Sequence, residues 1–311
     1  MIASWNPSQP EITDLIVRHD PRTLERQPVC KQEVLELFEQ FGNRQAVRAV
    51  EGLAERGGIL DEREMDRILL SVHWEMQRLA EEFYHGNRVW EILRAMVVTL
   101  RKSGFLKTIR IVDVGCGVGY TTRWLASRIP PREQGLEFLG VDLNSTLVQE
   151  ATRLAEAEKL ECRFVHGDAF SPQFAGTIFL STGVIHHFRG EALGEFLRRH
   201  ELGETQAFFH FDFQPWLLAP VGSWFFHWLR MRTRIARHDG VLSAARAHNA
   251  STLVDATRNS APGFASGIYG ARIWNTPAPR VFHTLVGVRR ALADAFRIAL
   301  GRRAGRLGAL Q

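Results

Sequence analysis

The most constraining feature of this chain is a short apolar run that ends in three glycines at alternate positions. Residues 111–120 read Ile111, Val112, Asp113, Val114, Gly115, Cys116, Gly117, Val118, Gly119, Tyr120. A run of this length and composition is a buried strand. Glycines at 115, 117 and 119 permit a tight turn with positive φ and let a ligand approach the backbone closely. The helix that follows starts near Tyr120, so its free N–H groups face the same place. A second apolar run, Phe138 to Val141, then ends in Asp142, 23 residues beyond Gly119.

The surrounding rhythm extends this unit. From residue 109 onward, short apolar runs alternate with helical segments: 109–114, 121–128, 137–141, 146–158, 162–166, 177–181, 193–200 and 207–213. Such alternation implies βαβ units and a parallel sheet covered on both faces, with right-handed crossovers. Two further β-like runs, 268–274 and 281–288, follow a helix near 250–257. Residues 1–107 place apolar groups at spacings of three and four, as in Leu69, Val72, Met76, Leu79 and Phe83, and carry no strand signal. Gly57–Gly58 and Gly86 read as breaks in that pattern.

Three carboxylates mark the ends of the first three strands. Asp113 stands two residues before the first glycine, where it would repel a phosphate and favour a cationic ammonium. Asp142 can accept both hydroxyls of a ribose. Asp168 closes a third strand in the segment Phe164, Val165, His166, Gly167, Asp168, Ala169, and can accept from an adenine amino group. A dinucleotide fingerprint would need glycine or alanine at position 120, which is tyrosine. A nicotinamide site is disfavoured on both counts.

Together, Asp113, the three glycines, Asp142 and Asp168 resemble a class I S-adenosylmethionine-dependent methyltransferase. Ser181 to Phe188, reading Ser-Thr-Gly-Val-Ile-His-His-Phe, resembles the piece after strand four in the branch that includes ubiquinone- and menaquinone-biosynthesis enzymes. His238 to Ser243, with Arg246 and His248, is faintly similar to natural-product methyltransferases. The resemblance covers 109–213 closely and 214–288 loosely.

The resemblance implies an α/β, doubly wound Rossmann-like sheet of seven strands, the last antiparallel, with an N-terminal helical extension. It also implies S-adenosylmethionine as cofactor, with contacts along Asp113, Gly115, Cys116, Gly117 and Gly119, at Asp142 and Leu143, at Asp168 and Ala169, and at Thr182 and Gly183. On this reading the chain divides into a helical extension or lid at 1–107, a cofactor-binding domain at 108–288 with an inserted apolar and helical lid at 213–260, and a basic tail at 289–311.

Methyl transfer from a sulfonium is an in-line displacement that rests mostly on positioning and exclusion of water. A base is required only if the acceptor must lose a proton early. His186 and His187 follow strand four and are the first candidates; the alternative is that one packs on the cofactor and the other caps a helix. His210 and Asp212 lie two apart on strand five, hence on one face, and could orient each other or form a structural pair. No metal-ligand constellation is visible, so no metal is expected.

The acceptor has to be read from elsewhere. Phe213 to Leu229 is a 17-residue stretch without formal charge, rich in Trp, Phe and Leu. It is shorter than a membrane span and reads as buried or as covering something apolar. An apolar or aromatic small molecule methylated on a hydroxyl oxygen fits this composition; carbon or nitrogen methylation, or cofactor binding without transfer, are the alternatives.

The net charge of +5 is located entirely in Arg289–Gln311, where six arginines meet one acid. Residues 1–288 are therefore neutral, which argues against nucleic acid as a partner. The tail itself reads as a solvated helix end with room for weak contact with an anionic membrane surface. Cys30, Cys116 and Cys162 are too dispersed for a disulfide framework or zinc site, and the start of the chain has no signal-peptide pattern, so a cytoplasmic location is expected. A helical N-terminal extension is also compatible with a homodimer.

Overall fold

Spacings of three and four in the first hundred residues fold as α1 (Ile12–Ile16), α2 (Lys31–Gln40), α3 (Arg44–Glu51), α4 (Glu62–Glu82) and α5 (His85–Lys102). A computed structural model describes residues 9–20, 23–129, 134–201, 203–215, 219–270 and 281–311. Two small antiparallel ladders also lie in this region, β1 (Arg18–His19) with β2 (Arg26–Gln27), and β3 (Glu55–Arg56) with β4 (Ile59–Leu60). Strands of two residues are too short to show period-two alternation, which is why the sequence gives no sign of them. Gly57–Gly58 is the turn between β3 and β4. Gly86 is the second residue of α5, just after the turn at Phe83–Tyr84 that separates α4 from α5; a Cβ there would come within 2.2 Å of the Trp124 ring, so glycine also permits close helix packing.

Seven strands form the main sheet: β5 (Ile109–Val114), β6 (Leu136–Asp142), β7 (Arg163–His166), β8 (Ile178–Thr182), β9 (Ala207–Phe213), β10 (Phe264–Gly270) and β11 (Phe282–Arg289). Their order is β7-β6-β5-β8-β9-β11-β10. Neighbours from β7 to β9 are parallel, and β11, the last in the chain, runs antiparallel to both β9 and β10. The expected sheet is therefore present, last strand included. Strand order reverses between β5 and β8, so the carboxyl ends of these two strands open the crevice where such sheets bind ligands.

The helices that follow are α6 (Tyr120–Arg128), α7 (Ser145–Ala157), α8 (Glu191–Arg198), α9 (Ala219–Arg230), α10 (Arg234–Ala245), α11 (Ala250–Ser260) and α12 (Ala293–Leu300). Successive strand residues point to opposite faces. Ile111 and Phe209 join Ile92, Leu93, Leu125 and Phe296 on one face, whereas Val112 and Phe208 join Leu193, Phe196, Leu197 and Leu253 on the other. Burial of both faces is why these strands read as continuous apolar runs.

By contacts the chain divides into two compact units, Met1–Leu79 with Pro215–Ala247, and Ala80–Gln214 with His248–Gln311. The sequence pattern instead ends the helical extension at 107. The difference is α5, whose Val89, Ile92, Leu93 and Met96 are buried in the sheet's core. Likewise α11 packs on the sheet, through Leu253, while α10 belongs with the N-terminal helices. There Ile235 and Ala236 share a core with Ile12, Phe38, Val50 and Met65. Buried Asp239 accepts from the amides of Ile12 at 2.9 Å and Thr13 at 3.0 Å, so a residue of α10 holds the start of α1.

Two expectations change on the structure. The basic segment is not a solvated end. Phe296 and Leu300 of α12 are buried, Arg289 pairs with Glu201, and Arg303 and Arg306 pair with Glu91. The last residues run beside β10, with Ser266 and Gln311 exchanging backbone hydrogen bonds at 3.0 and 2.9 Å, which covers a strand edge otherwise open to aggregation. Of the apolar stretch 213–229, Phe213 ends β9 and residues 219–229 lie in α9, with Val221, Trp224, Phe225, Trp228 and Leu229 exposed; Trp216, Leu217 and Leu218 lie outside the described residues. Among the described residues, no helix is long and apolar enough to cross a membrane.

Burial of neutral histidines gives the fold a definite acid response. Desolvation pushes His200 down to about 3, His283 down to about 4, and His210 well below the ordinary value. In the unfolded chain they titrate near ~6.5. Below that pH the unfolded state binds protons that the folded state refuses, so stability is full above ~6.5 and declines as pH falls toward the folded values. Thermal melts should therefore show Tm dropping steadily from pH 7 to pH 5, above the range where most carboxylates titrate. A flat Tm across that window would contradict the assignment.

Candidate cofactor and active site

The glycine turn is fastened to the neighbouring strand before any ligand is considered. The amides of Gly115 and Cys116 both donate to the carbonyl of Val141, at 2.9 and 3.2 Å. Gly115, Gly117 and Gly119 have φ of +65°, +55° and +75°, a region that side chains with a Cβ disfavour. Gly119 is needed for space as well, since a Cβ there would lie 2.5 Å from the Phe164 ring of β7. Cys116 is half-buried beside the turn, and its thiol is raised well above its ordinary pKa by burial.

Asp142 spans the gap between turn and helix. Its Oδ2 accepts from the Gly117 amide at 2.9 Å, and its Oδ1 accepts from the Asn144 amide at 2.9 Å. Asn144 in turn caps α7 through Leu147 N at 3.1 Å. One hydrogen bond per oxygen leaves each carboxylate oxygen able to accept another, as the two hydroxyls of a ribose require. Leu143 follows with its side chain half exposed, and its carbonyl is held by His166 Nε2 at 3.0 Å.

Asp113 is deeply buried at the end of β5. Its Oδ2 accepts from Thr122 Oγ1 at 2.8 Å, while Oδ1 is buried without a hydrogen-bond partner. Burial raises the carboxyl to about 7, Thr122 opposes that, and nearby Asp142 adds to it. A buried acid held close to neutrality, with an oxygen to spare, is suited to receive a cationic donor.

On the far side of the crevice the arrangement is more closed. Asp168 forms an ion pair with Arg199 and accepts from Phe170 N at 3.0 Å, so its side chain is already engaged where adenine was expected. Arg199 also lies 5.0 Å from the Phe170 ring centre. Ala169 is buried next to it. At the end of β8, Thr182 Oγ1 is 3.4 Å from Thr121 Oγ1. Gly183 has φ of +69°, donates to the Phe211 carbonyl at 2.8 Å, and has open space where a Cβ would stand.

The histidines separate into two environments. His186 begins its short turn with the backbone amide donating to Asp212 Oδ2 at 3.1 Å, and its Nδ1 lies 2.9 Å from both Asp212 oxygens. Burial by itself would raise Asp212, but His186 and the amides of Phe213 and His186 outweigh it, and the acid is held below its usual range. His187 is half-buried, its ring 4.3 Å from that of His186. His210 is different. It is packed between Phe196, Phe208 and His200 and bonds Ser181 Oγ at 2.8 Å. His210 and Asp212 thus do not orient each other as the sequence spacing allowed, and a ring driven well below its ordinary pKa in an aromatic interior is a poor proton acceptor.

Sequence reading missed Thr122, Arg199 and the ring of Phe164, and it did not link Asp212 to His186. Arg199 is 31 residues from Asp168, and Asp212 is 26 from His186, whereas Thr122 lies nine from Asp113 across the glycine turn. The strand-end position of Asp212 was the one available sign.

With this geometry in view, the matches to known proteins are coherent. The profile of a family described as methyltransferase domain matches residues 111–201. A demethylmenaquinone methyltransferase of Thermus thermophilus is 34% identical over 94 residues, which are 29% of this chain and 41% of that protein. A ribosomal RNA small subunit methyltransferase C of Alcanivorax borkumensis is 27% identical over 117 residues, 38% of this chain and 34% of that one. This chain therefore spans well under half the length of both curated relatives. The plantazolicin methyltransferase BpumL, solved with a pentazolic desmethylPZN analog and S-adenosylhomocysteine, is 12% identical over 72% of this chain and 96% of its own, with a TM-score of 0.50, a likeness of fold.

The residues present fit the cofactor of this family. Asp142 offers two oxygens for the ribose, the positive-φ turn offers backbone at close range, and the spare buried oxygen of Asp113 suits the ammonium of the amino-acid moiety. A consequence is measurable. A bound ammonium favours the ionised form of Asp113, so binding releases a proton wherever the acid starts protonated. Affinity for S-adenosylhomocysteine should fall about tenfold per pH unit below about 7 and level off above it. Calorimetry at several pH values checks this, and D113N should abolish the dependence.

Replacing Gly119 by alanine should be costly for two reasons, the left-handed backbone (~1–2 kcal/mol) and the clash with Phe164 (~1–3 kcal/mol); a lower Tm together with weakened S-adenosylhomocysteine binding is the expected result. Residues 111–201 thus match a methyltransferase domain, and the sheet order with its antiparallel last strand and the acid–glycine–acid crevice are those that the resemblance to class I S-adenosylmethionine-dependent methyltransferases implies.

Proposed function

We propose that this protein transfers a methyl group from S-adenosylmethionine to the hydroxyl oxygen of an apolar or aromatic small molecule in the cytoplasm. The observation that carries the reading is the His186–Asp212 pair, fixed at the mouth of β8 and β9 immediately after Gly183. Support also comes from the relative named for demethylmenaquinone, 34% identical over 94 residues. The neutral charge of residues 1–288 speaks against an RNA acceptor such as the other relative's name implies.

When bound, S-adenosylmethionine supplies an electrophilic methyl group on a cationic sulfur. Asp142 and the glycine turn orient the cofactor, and Asp113 balances its ammonium. Asp212 takes Nδ1 of His186, which fixes the ring; proton exchange with an acceptor is assigned to Nε2. An acceptor hydroxyl gives its proton to Nε2 as its oxygen becomes the nucleophile. The low-lying Asp212 carboxylate stabilises the imidazolium so formed, the division of labour used by hydrogen-bonded His–Asp pairs in other enzymes. His187 borders the same spot and contributes to the wall on which an acceptor is positioned. His210 serves the packing of β9 against α8.

The test is incubation with labelled S-adenosylmethionine and a host metabolite extract, followed by identification of the labelled product. An O-methyl ether of an apolar compound is expected; a C- or N-methyl product overturns the oxygen assignment. On the identified acceptor, H186N and D212N should lower kcat by ~10²–10⁴-fold while leaving S-adenosylhomocysteine affinity unchanged. Near wild-type turnover in both variants would remove the proposed base.

A further inference from the structure

Helix α9 is amphipathic in the inverted sense. The side turned to its own unit is polar: Ser223 Oγ lies 3.1 Å from His227 Nδ1 and donates to the Gly240 carbonyl at 3.0 Å. His227 is buried against α10, where a Cβ on Gly240 would come within 2.3 Å of its ring. The outward side carries Val221, Trp224, Phe225, Trp228 and Leu229, which are 40–58% exposed. Spacings of three, four, seven and eight put all five on one stripe of the helix. Single exposed apolar residues need no explanation, but a contiguous aromatic stripe of this kind marks a surface that something apolar covers.

The charges beside the stripe say which kind of surface. No acid occurs from Phe213 to His238, and Arg230, Arg232, Arg234 and Arg237 follow directly on the helix. Arg232 and Arg234 are exposed. The turn that bears them is held in place, because buried Glu75 accepts from the amides of Arg232 at 2.8 Å and Thr233 at 3.1 Å. Aromatic residues on one face with arginines at the end is the composition of helices that lie in the boundary of an anionic bilayer. A second copy of the chain fits less well, since the stripe and its flank, from Phe213 to His238, hold no acid to meet the arginines.

We infer that α9 is a membrane-surface helix, which inserts Trp224, Phe225 and Trp228 at the headgroup boundary of an anionic lipid layer while Arg232 and Arg234 meet its phosphates. The inference goes beyond the methyl-transfer reading and is tested without cofactor or acceptor. The full chain is floated with phosphatidylcholine vesicles, with and without phosphatidylglycerol, at low and high salt. It should rise with the anionic vesicles and be partly released by salt. The triple variant W224S/F225S/W228S should lose about tenfold in partitioning, and R232E/R234E should lose the preference for phosphatidylglycerol. Circular dichroism and melts verify that the variants keep the wild-type fold, and R290A/R297A/R302A, in the C-terminal basic segment, should float as the wild type does. The inference is overturned if the wild type does not float, if the triple variant floats equally well, if only the C-terminal variant is impaired, or if light scattering shows a wild-type dimer that the triple variant converts to monomer.

Discussion

The site depends on one hydrogen bond more than on any other, the donation from the Gly117 amide to Asp142. It joins the turn after β5 to the end of β6, and so converts two adjacent strand ends into a single rigid rim. The same carboxylate holds the Asn144 amide, and through Asn144 the start of α7. A carboxylate with backbone amides on both oxygens keeps its rotamer before a ligand arrives, so a ribose would meet acceptors that need little reordering. Phe164 presses on the turn from β7 and leaves no space for a Cβ at Gly119 or at Gly140. Glycine at these points is a demand of packing and of backbone angle together.

Around that rim the protein distributes buried charge unevenly. Asp113 is desolvated with one weak partner and drifts up toward neutrality, whereas Asp212, equally buried, is held low by His186 and two amides. The first acid has a buried oxygen without a partner; the second has the His186 ring and two amides already on it. On the proposed function the two carboxylates have different work, cation recognition and imidazole support. Asp168 completes the contrast: ion-paired with Arg199 at a partly exposed position, it is the least prepared of the strand-end acids to take a new donor.

Much of the sheet was legible because its strands are buried on both faces and its helices alternate with them in register, so Ile109–Val114 or Ala207–Phe213 could hardly be anything else. The cofactor rim was legible because glycine, acid and strand end are local and chemically specific. What escaped was everything that required distance in the chain. Arg199 reaches Asp168 only through α8, Asp212 reaches His186 only because β9 lies beside β8, and α5 joins the sheet although its apolar spacing continues that of α4. The arginine-rich end misled for a related reason: charge density says nothing of the glutamates that Glu91 and Glu201 would bring to meet it. Period-two placement of His210 and Asp212 was sound, yet their neighbours gave them unrelated tasks.

Helix α9 exposes a different limit of pattern reading. A hydrophobic stripe at helical spacing normally reports the face turned to the protein's core, and the stretch from Phe213 to Leu229 reads that way in sequence. The side that packs is instead decided by Ser223, His227 and the missing Cβ of Gly240, because a helix can approach closely only where side chains are small or can hydrogen-bond across the gap. With that side committed to α10, the 3.6-residue period drives Trp224, Phe225 and Trp228 outward. Apolar surface of this kind is unfavourable in water by roughly 25 cal/mol per Å², so its retention on a helix flanked by arginines makes physical sense where the outward side is not in water.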